Sequence, residues 1–262
     1  MRLIALAGFL LALPAASEYA EVHGLKMYYE VHGEGRPIVL LHGGMGDTHL
    51  SFAAQIPVFA QHHRVIAIEQ IGHGHTADVA GHDVSYETMT EDTAALLVQQ
   101  GIRNADLVGF SDGGQIALRL AFTHPELVRR VVASGVGLGA MSPAEQKSMQ
   151  SLSVSIFPKE VQEEYARVSP DGAEHWPIIW TRVRAMWAKP GWGLALPELA
   201  TIKAPTLLVF GDHDFTGVEE AGRIFHAIPG AELCILPGTR HSTFSERPEW
   251  LNPIVLDFLD RN

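Results

Sequence analysis

The sequence predicts an α/β fold: a mainly parallel central sheet, helices on both faces and one small helical insertion. Two observations predict it. Short apolar runs that end in glycine alternate with longer segments of helical apolar spacing. The alternation stops once, over residues 141–199, and then resumes. The chain of 262 residues with 47% hydrophobic content is ample for one large core.

The elements follow in order. YAEVHG (19–24) and KMYYEVHGEG (26–35) alternate at period two and meet at Gly24-Leu25, an antiparallel start. RPIVLLHGG contains an apolar run, Ile38 to Leu41, that reads as a buried strand. Residues 48–63 have helical spacing with a kink expected at Pro57. RVIAIEQIGHGH is a second buried strand running into a glycine-rich turn. Residues 85–102 form a helix capped by Ser85, with Thr88 and Glu91 near its start. ADLVGF is a strand, QIALRLAFTHPE a helix closed by Pro125, and VRRVVASG a strand.

The insertion reads as short helices: SPAEQKSMQS, PKEVQEEYARV and AEHWPIIWTRVRAMWA. It carries Trp176, Trp180, Trp187 and Trp192 among the five tryptophans of the chain. APTLLVFGDHD restores a buried strand; VEEAGRIFHAI, AELCILPG and PEWLNPIVLDFLDR follow as helix, strand and closing helix. The expected organisation is a core of residues 18–140 and 200–262 interrupted by a cap or lid at 141–199.

Formal net charge is −11, and no basic stripe appears that would serve a nucleic acid. The single cysteine, Cys234, excludes an intrachain disulfide. Residues 1–17 differ from the rest: Arg2, an apolar run from Leu3 to Leu13, then small residues with Ala15 and Ser17 at −3 and −1. This is the pattern of a secretory signal peptide cut after Ser17, too short to span a bilayer. It implies a secreted or periplasmic mature chain without membrane insertion; without a leader the chain stays cytoplasmic.

The chemistry concentrates in GFSDGG. Gly109-Phe110-Ser111-Asp112-Gly113 fits G-x-S-x-G between a strand and a helix, the context of a nucleophile elbow. The serine there sits on a sharp turn that exposes its hydroxyl, and side chains two residues before and after would clash. A phosphate-cradling loop would instead need a following lysine or a G-x-G-x-x-G, and neither is present.

A serine hydroxyl needs a base, and the base an orienting acid. The acid should follow a later strand and the histidine the last one. His241, in the loop after ELCILPG, is the candidate base among fourteen histidines. The VVASG strand ends without a carboxylate, which leaves Asp212 and Asp214 after TLLVF. Asp214 stands at the Gly-x-x-Asp spacing of families that this chain resembles, a likeness that favours it, with Asp212 then a turn residue. Two donors are needed for an oxyanion: the amide of Asp112 and one from His42-Gly43-Gly44-Met45-Gly46, Gly44 before Met45. Met45, Asp112, Trp180 and Trp187 are candidate substrate-binding residues. The tryptophans, with Met186, either wall an apolar site or pack the cap onto the body. His62-His63 and His73-Gly-His75 lack a third metal ligand at suitable spacing.

HGG, GFSDGG, GDHD and RHS, in this order, resemble the α/β-hydrolase superfamily over about Tyr19 to Asn262. The stretch GFSDGGQIALRLAFTHPELVRRVV resembles the valacyclovir hydrolase and biphenyl-hydrolase-like enzymes, and more loosely the proline iminopeptidases and cofactor-free haloperoxidases. In that likeness Asp112 binds a substrate α-amino group, implying aminoacyl esters; an acid at a helix N-terminus is also favourable on its own. Where relatives often read D-x-R-G-x-G-x-S, this chain has Glu69-Gln70-Ile71-Gly72-His73-Gly74-His75-Thr76 and lacks the arginine. Ser111 argues against the haloalkane dehalogenases and epoxide hydrolases of this fold, whose nucleophile is aspartate.

The expectation is a serine carboxylesterase acting through an acyl-enzyme on a small-molecule ester, with no cofactor or metal. The same groups would also serve lactone, amide or C–C bond hydrolysis or perhydrolysis. A non-catalytic binder that keeps the pocket is the remaining alternative.

Overall fold

The computed structural model describes residues 16–261. The leader expected at residues 1–17 therefore lies outside the described residues, apart from Ala16 and Ser17, which open the first strand. That strand, β1 (Ala16–Val22), pairs antiparallel with β2 (Leu25–His32). They are joined by His23 and Gly24, both at positive φ (48° and 84°), as a tight hairpin of the primed kind requires.

Then come β3 (Arg36–Leu41), α1 (Thr48–Phe52), α2 (Ile56–Phe59), β4 (His63–Ile68), α3 (Tyr86–Gln99), β5 (Ala105–Phe110), α4 (Asp112–Thr123) and β6 (Val128–Ser134). The insertion supplies α5 (Pro143–Gln150), α6 (Lys159–Val168), α7 (Trp176–Trp187) and α8 (Leu196–Leu199). The chain closes with β7 (Thr206–Gly211), α9 (Val218–Ala227), β8 (Glu232–Leu236), α10 (Thr243–Glu246) and α11 (Pro248–Asp260).

The kinked helix expected over 48–63 is two short helices. Pro57 stands in the first turn of α2, where its missing N–H is no loss, so the chain restarts the helix instead of bending it. The buried Gln55 side chain at this break donates to the Phe244 carbonyl (2.9 Å) and to Asn252 Oδ1 (2.8 Å), tying the break to α10 and α11.

The eight strands stand in the order β1-β2-β4-β3-β5-β6-β7-β8. From β4 to β8 all pairs are parallel; β1 and β2 form the antiparallel end. Consecutive residues of one strand enter opposite cores. Ile38 and Leu40 join Val65, Ala67, Phe52 and Phe258 on one face. Val39 and Leu41 join Ile66, Ile68, Ile116 and Trp180 on the other. Both faces are covered by helices, so the central strands read as unbroken apolar runs.

The order also fixes where loops gather. The chain passes from β3 to β4 on one side, then crosses to β5 on the other side of β3. The loops leaving the carboxyl ends of β3 and β5 diverge there, which is where open α/β sheets form a crevice.

Candidate active site

GFSDGG lies at that switch point. Ser111 links β5 to α4 with φ 53° and ψ −114°, a positive φ that a non-glycine residue adopts only when its surroundings impose it. The surroundings are tight backbone contacts. A Cβ on Gly113 would stand 1.9 Å from the Leu41 carbonyl oxygen, and one on Gly109 would stand 2.2 Å from the Gly113 carbonyl oxygen. Only bare Cα atoms let β3, β5 and α4 close this far, and the turn pushes the Ser111 side chain outward. The Ser111 N–H donates to the Ser134 carbonyl (2.7 Å), anchoring the elbow to the end of β6.

His241 reaches the elbow from the loop after β8. Its Nε2 stands 2.9 Å from Ser111 Oγ. Its Nδ1 faces Asp214 Oδ1 and Oδ2 at 3.0 and 3.2 Å. The carboxylate accepts only, so the imidazole proton sits on Nδ1 and the Nε2 lone pair points at the hydroxyl. Asp214 has 1% side-chain exposure, and its Oδ1 also accepts from the Thr216 N–H (3.1 Å). Asp212 instead accepts from the Thr239 N–H (3.2 Å) and bridges two loops; backbone donors, that of Gly238 first, hold its carboxyl below the usual range. Asp214, the acid that the sequence favours over Asp212, is the one beside the imidazole. The arrangement can pass the hydroxyl proton to His241 as Ser111 attacks a carbonyl.

The HGG loop packs directly on the elbow. A Cβ on Gly43 would stand 2.8 Å from the Phe110 ring and 3.4 Å from Ser111 Cβ. One on Gly44 would meet Asp112 Oδ2 at 2.3 Å and the Trp187 ring at 2.5 Å. Gly43 thus lies against Ser111, and Gly44 against the Asp112 side chain at the start of α4. Met45 follows, buried and at φ 59°.

Asp112 is buried and already has donors. Tyr86 Oη donates to its Oδ1 (2.6 Å), and Trp187 Nε1 lies 2.9 and 3.0 Å from Oδ1 and Oδ2. Burial raises its carboxyl above the usual range against the pull of these donors. Trp187 therefore reaches from α7 to touch both Asp112 and the Gly44 loop. Trp180 lies behind it, 4% exposed, between Trp187 (5.7 Å) and Phe157 (5.5 Å). Met186 is buried, Trp176 packs on Tyr165 and Trp192 on Tyr86.

Several contributors were not singled out by the sequence. Tyr86 opens a helix far from GFSDGG. Phe110 and Phe215 flank His241 at 5.1 and 4.1 Å between ring centres. Gly135, at φ 64°, lies so close that a Cβ would stand 2.6 Å from His241 Cε1. Adjacency to Asp214 was the one hint for Phe215.

The divergent EQIGHGHT turn holds without the arginine. Glu69 Oε2 accepts from the His75 N–H (2.6 Å) and faces His75 Nδ1 (3.0 Å). The bond to Glu69 raises the His75 imidazole above its ordinary value. His73 is buried beside His42, and burial pushes it down to about 3. Among the described residues no group of His, Cys, Asp and Glu is arranged to hold a metal ion, and no helix is long and apolar enough to cross a membrane.

Comparison with known proteins bears on the family and the fold. The model of the alpha/beta hydrolase family matches residues 38–254. The 2-hydroxymuconate semialdehyde hydrolase of Pseudomonas sp. (strain CF600) is 28% identical over 90% of this chain and 91% of its own. The solved structure of Est816, described as an N-acyl homoserine lactone degrading enzyme, is 30% identical with TM-score 0.73, covering 92% of this chain and 99% of its own. The meta-cleavage product hydrolase CumD of Pseudomonas fluorescens IP01 shares the fold at 22% identity and TM-score 0.78, covering 93% and 97%. This chain is a hydrolase and belongs to the alpha/beta hydrolase family.

Proposed function

We propose that the protein hydrolyses carboxylic esters through an acyl-enzyme on Ser111. The observation that carries this is the unbroken line Ser111 Oγ, His241 and Asp214, with contacts of 2.9 and 3.0 Å. Ser111 attacks the acyl carbonyl while His241 Nε2 takes its proton. Asp214 keeps the imidazole oriented and stabilises the imidazolium. The Asp112 amide, in the first turn of α4 where N–H groups have no partner within the helix, and the Gly44 amide receive the oxyanion. His241 then gives its proton to the leaving alcohol. Water, deprotonated by the same nitrogen, releases the acid. Trp187 and the helices of the insertion act as the cover that dries the site.

A fluorophosphonate probe tests the nucleophile. Labelling should map to Ser111, and Ser111→Ala should abolish both labelling and p-nitrophenyl ester turnover. A folded protein that takes no label removes the proposal and favours a binder.

Lactone opening is a second reading, supported by the 30% identity with Est816. It uses the same acyl transfer with the leaving alcohol tethered to the acyl group. Hydrolysis of an N-acyl homoserine lactone much faster than of an open-chain ester of the same acid would select it.

A further inference from the structure

We propose that Phe215 walls the leaving-group site and selects esters whose alcohol portion is aromatic or bulky and apolar. The proposal rests on the ester reading above. His241 Nε2 must protonate the departing oxygen, so that oxygen has to come within hydrogen-bond reach of the imidazole. The alcohol portion then lies on the histidine side of Ser111, away from Gly44 and Trp187. Two aromatic rings stand on that side. Phe110 is half-buried, wedged under Gly43 and edge-on to Phe244 at 6.5 Å.

Phe215 is different: its ring centre lies 4.1 Å from that of His241 at 34°, yet the residue is 80% exposed, the most exposed large apolar residue among those described. It follows Asp214 directly, so the acid that holds the imidazole also sets the ring beside it. The folded chain leaves most of this ring to water, beside the imidazole that protonates the departing alcohol. An apolar or aromatic group there buries both surfaces, and a stacked or edge-on pair adds to the area term. A methyl or ethyl group is too small to reach across the imidazole and gains little.

The test compares ethyl acetate with 2-phenylethyl acetate, which share an acyl group and have leaving alcohols of similar acidity. kcat/KM is measured by pH-stat for wild type, Phe215→Ala and Phe215→Trp. Phe215→Ala should lose about tenfold on the phenylethyl ester and less than about twofold on the ethyl ester, as expected for losing one aromatic contact. Phe215→Trp should restore most of the difference. In parallel, 2-phenylethanol should inhibit wild type more strongly than Phe215→Ala. Equal losses on both esters would make Phe215 a support for His241 alone and overturn the proposal; so would no loss on either. Wild-type inactivity on both esters would instead refute the ester reading itself, and the proposal with it.

Discussion

Replacing Asp214 with asparagine changes one oxygen to an amide group and leaves the volume of the site as it is. In the native site both carboxylate oxygens face His241 Nδ1, at 3.0 and 3.2 Å, and accept its proton. An asparagine amide can turn its N–H₂ toward Nδ1, which then has to be the acceptor. The proton moves to Nε2, and the nitrogen facing Ser111 Oγ at 2.9 Å loses the lone pair it needs as a base. Loss of charge also removes the partner of the imidazolium formed during attack. In enzymes with this arrangement the combined effect is about a thousand- to ten-thousandfold in kcat, or about 4–5.5 kcal/mol at about 1.4 kcal/mol per tenfold.

Asp212→Asn is the matched control. Asp212 has 35% side-chain exposure and accepts from backbone N–H groups, those of Gly238 and Thr239 among them, and an asparagine oxygen keeps an acceptor in the same place. Its turnover should stay within about threefold of wild type, because a surface polar exchange of this kind changes stability by about 0.5 kcal/mol or less. The assay is steady-state hydrolysis of p-nitrophenyl butyrate, with thermal melts to confirm that both variants fold. If Asp212→Asn lost as much activity as Asp214→Asn, or Asp214→Asn retained more than a tenth of wild-type kcat, the assignment of the acid would be wrong.

Other outcomes follow from the same contacts. Asp112→Ala leaves the Tyr86 hydroxyl and the Trp187 indole N–H without their acceptor, each at a cost of about 1–3 kcal/mol if it stays buried. The variant should melt several degrees lower. It should lose similar activity on aminoacyl and plain esters, because the carboxylate already has donors from the protein; selective loss on aminoacyl esters would instead make Asp112 an amine site. His73 is held neutral, pushed down to about 3 by burial, whereas an unfolded histidine titrates near 6.5. The unfolded chain therefore binds the extra proton first. The associated stability is complete above pH 6.5 and is lost as pH falls toward 3, by about 1.4 kcal/mol at pH 5.5. His73→Asn, which can keep the donor to the Ile71 carbonyl, should melt with a flatter pH profile between pH 7.5 and 5.5 than wild type. An unchanged slope in differential scanning calorimetry would contradict this.

Much of the molecule was legible in one dimension because its signals are local. Apolar runs flanked by glycine mark strands buried on both faces, and G-x-S-x-G between a strand and a helix marks a turn in which side chains have no room. The distances at Gly109 and Gly113 give the physical content of that motif. The break at Pro57 was also marked locally, though its outcome, two helices in place of one bent helix, depended on Gln55 finding partners in α10 and α11.

By itself, then, the sequence determined the α/β class, the elbow and the set of groups able to do acyl chemistry, since each depends on residues near one another in the chain. The sequence favoured Asp214 over Asp212, two residues apart on one loop, and only the tertiary structure shows which carboxylate faces an imidazole carried by another strand's loop. It alone placed Tyr86 and Trp187 on Asp112, and Phe215 on His241. Those contacts join segments far apart in the chain, and no local pattern encodes a distance that the packing of the whole sheet sets.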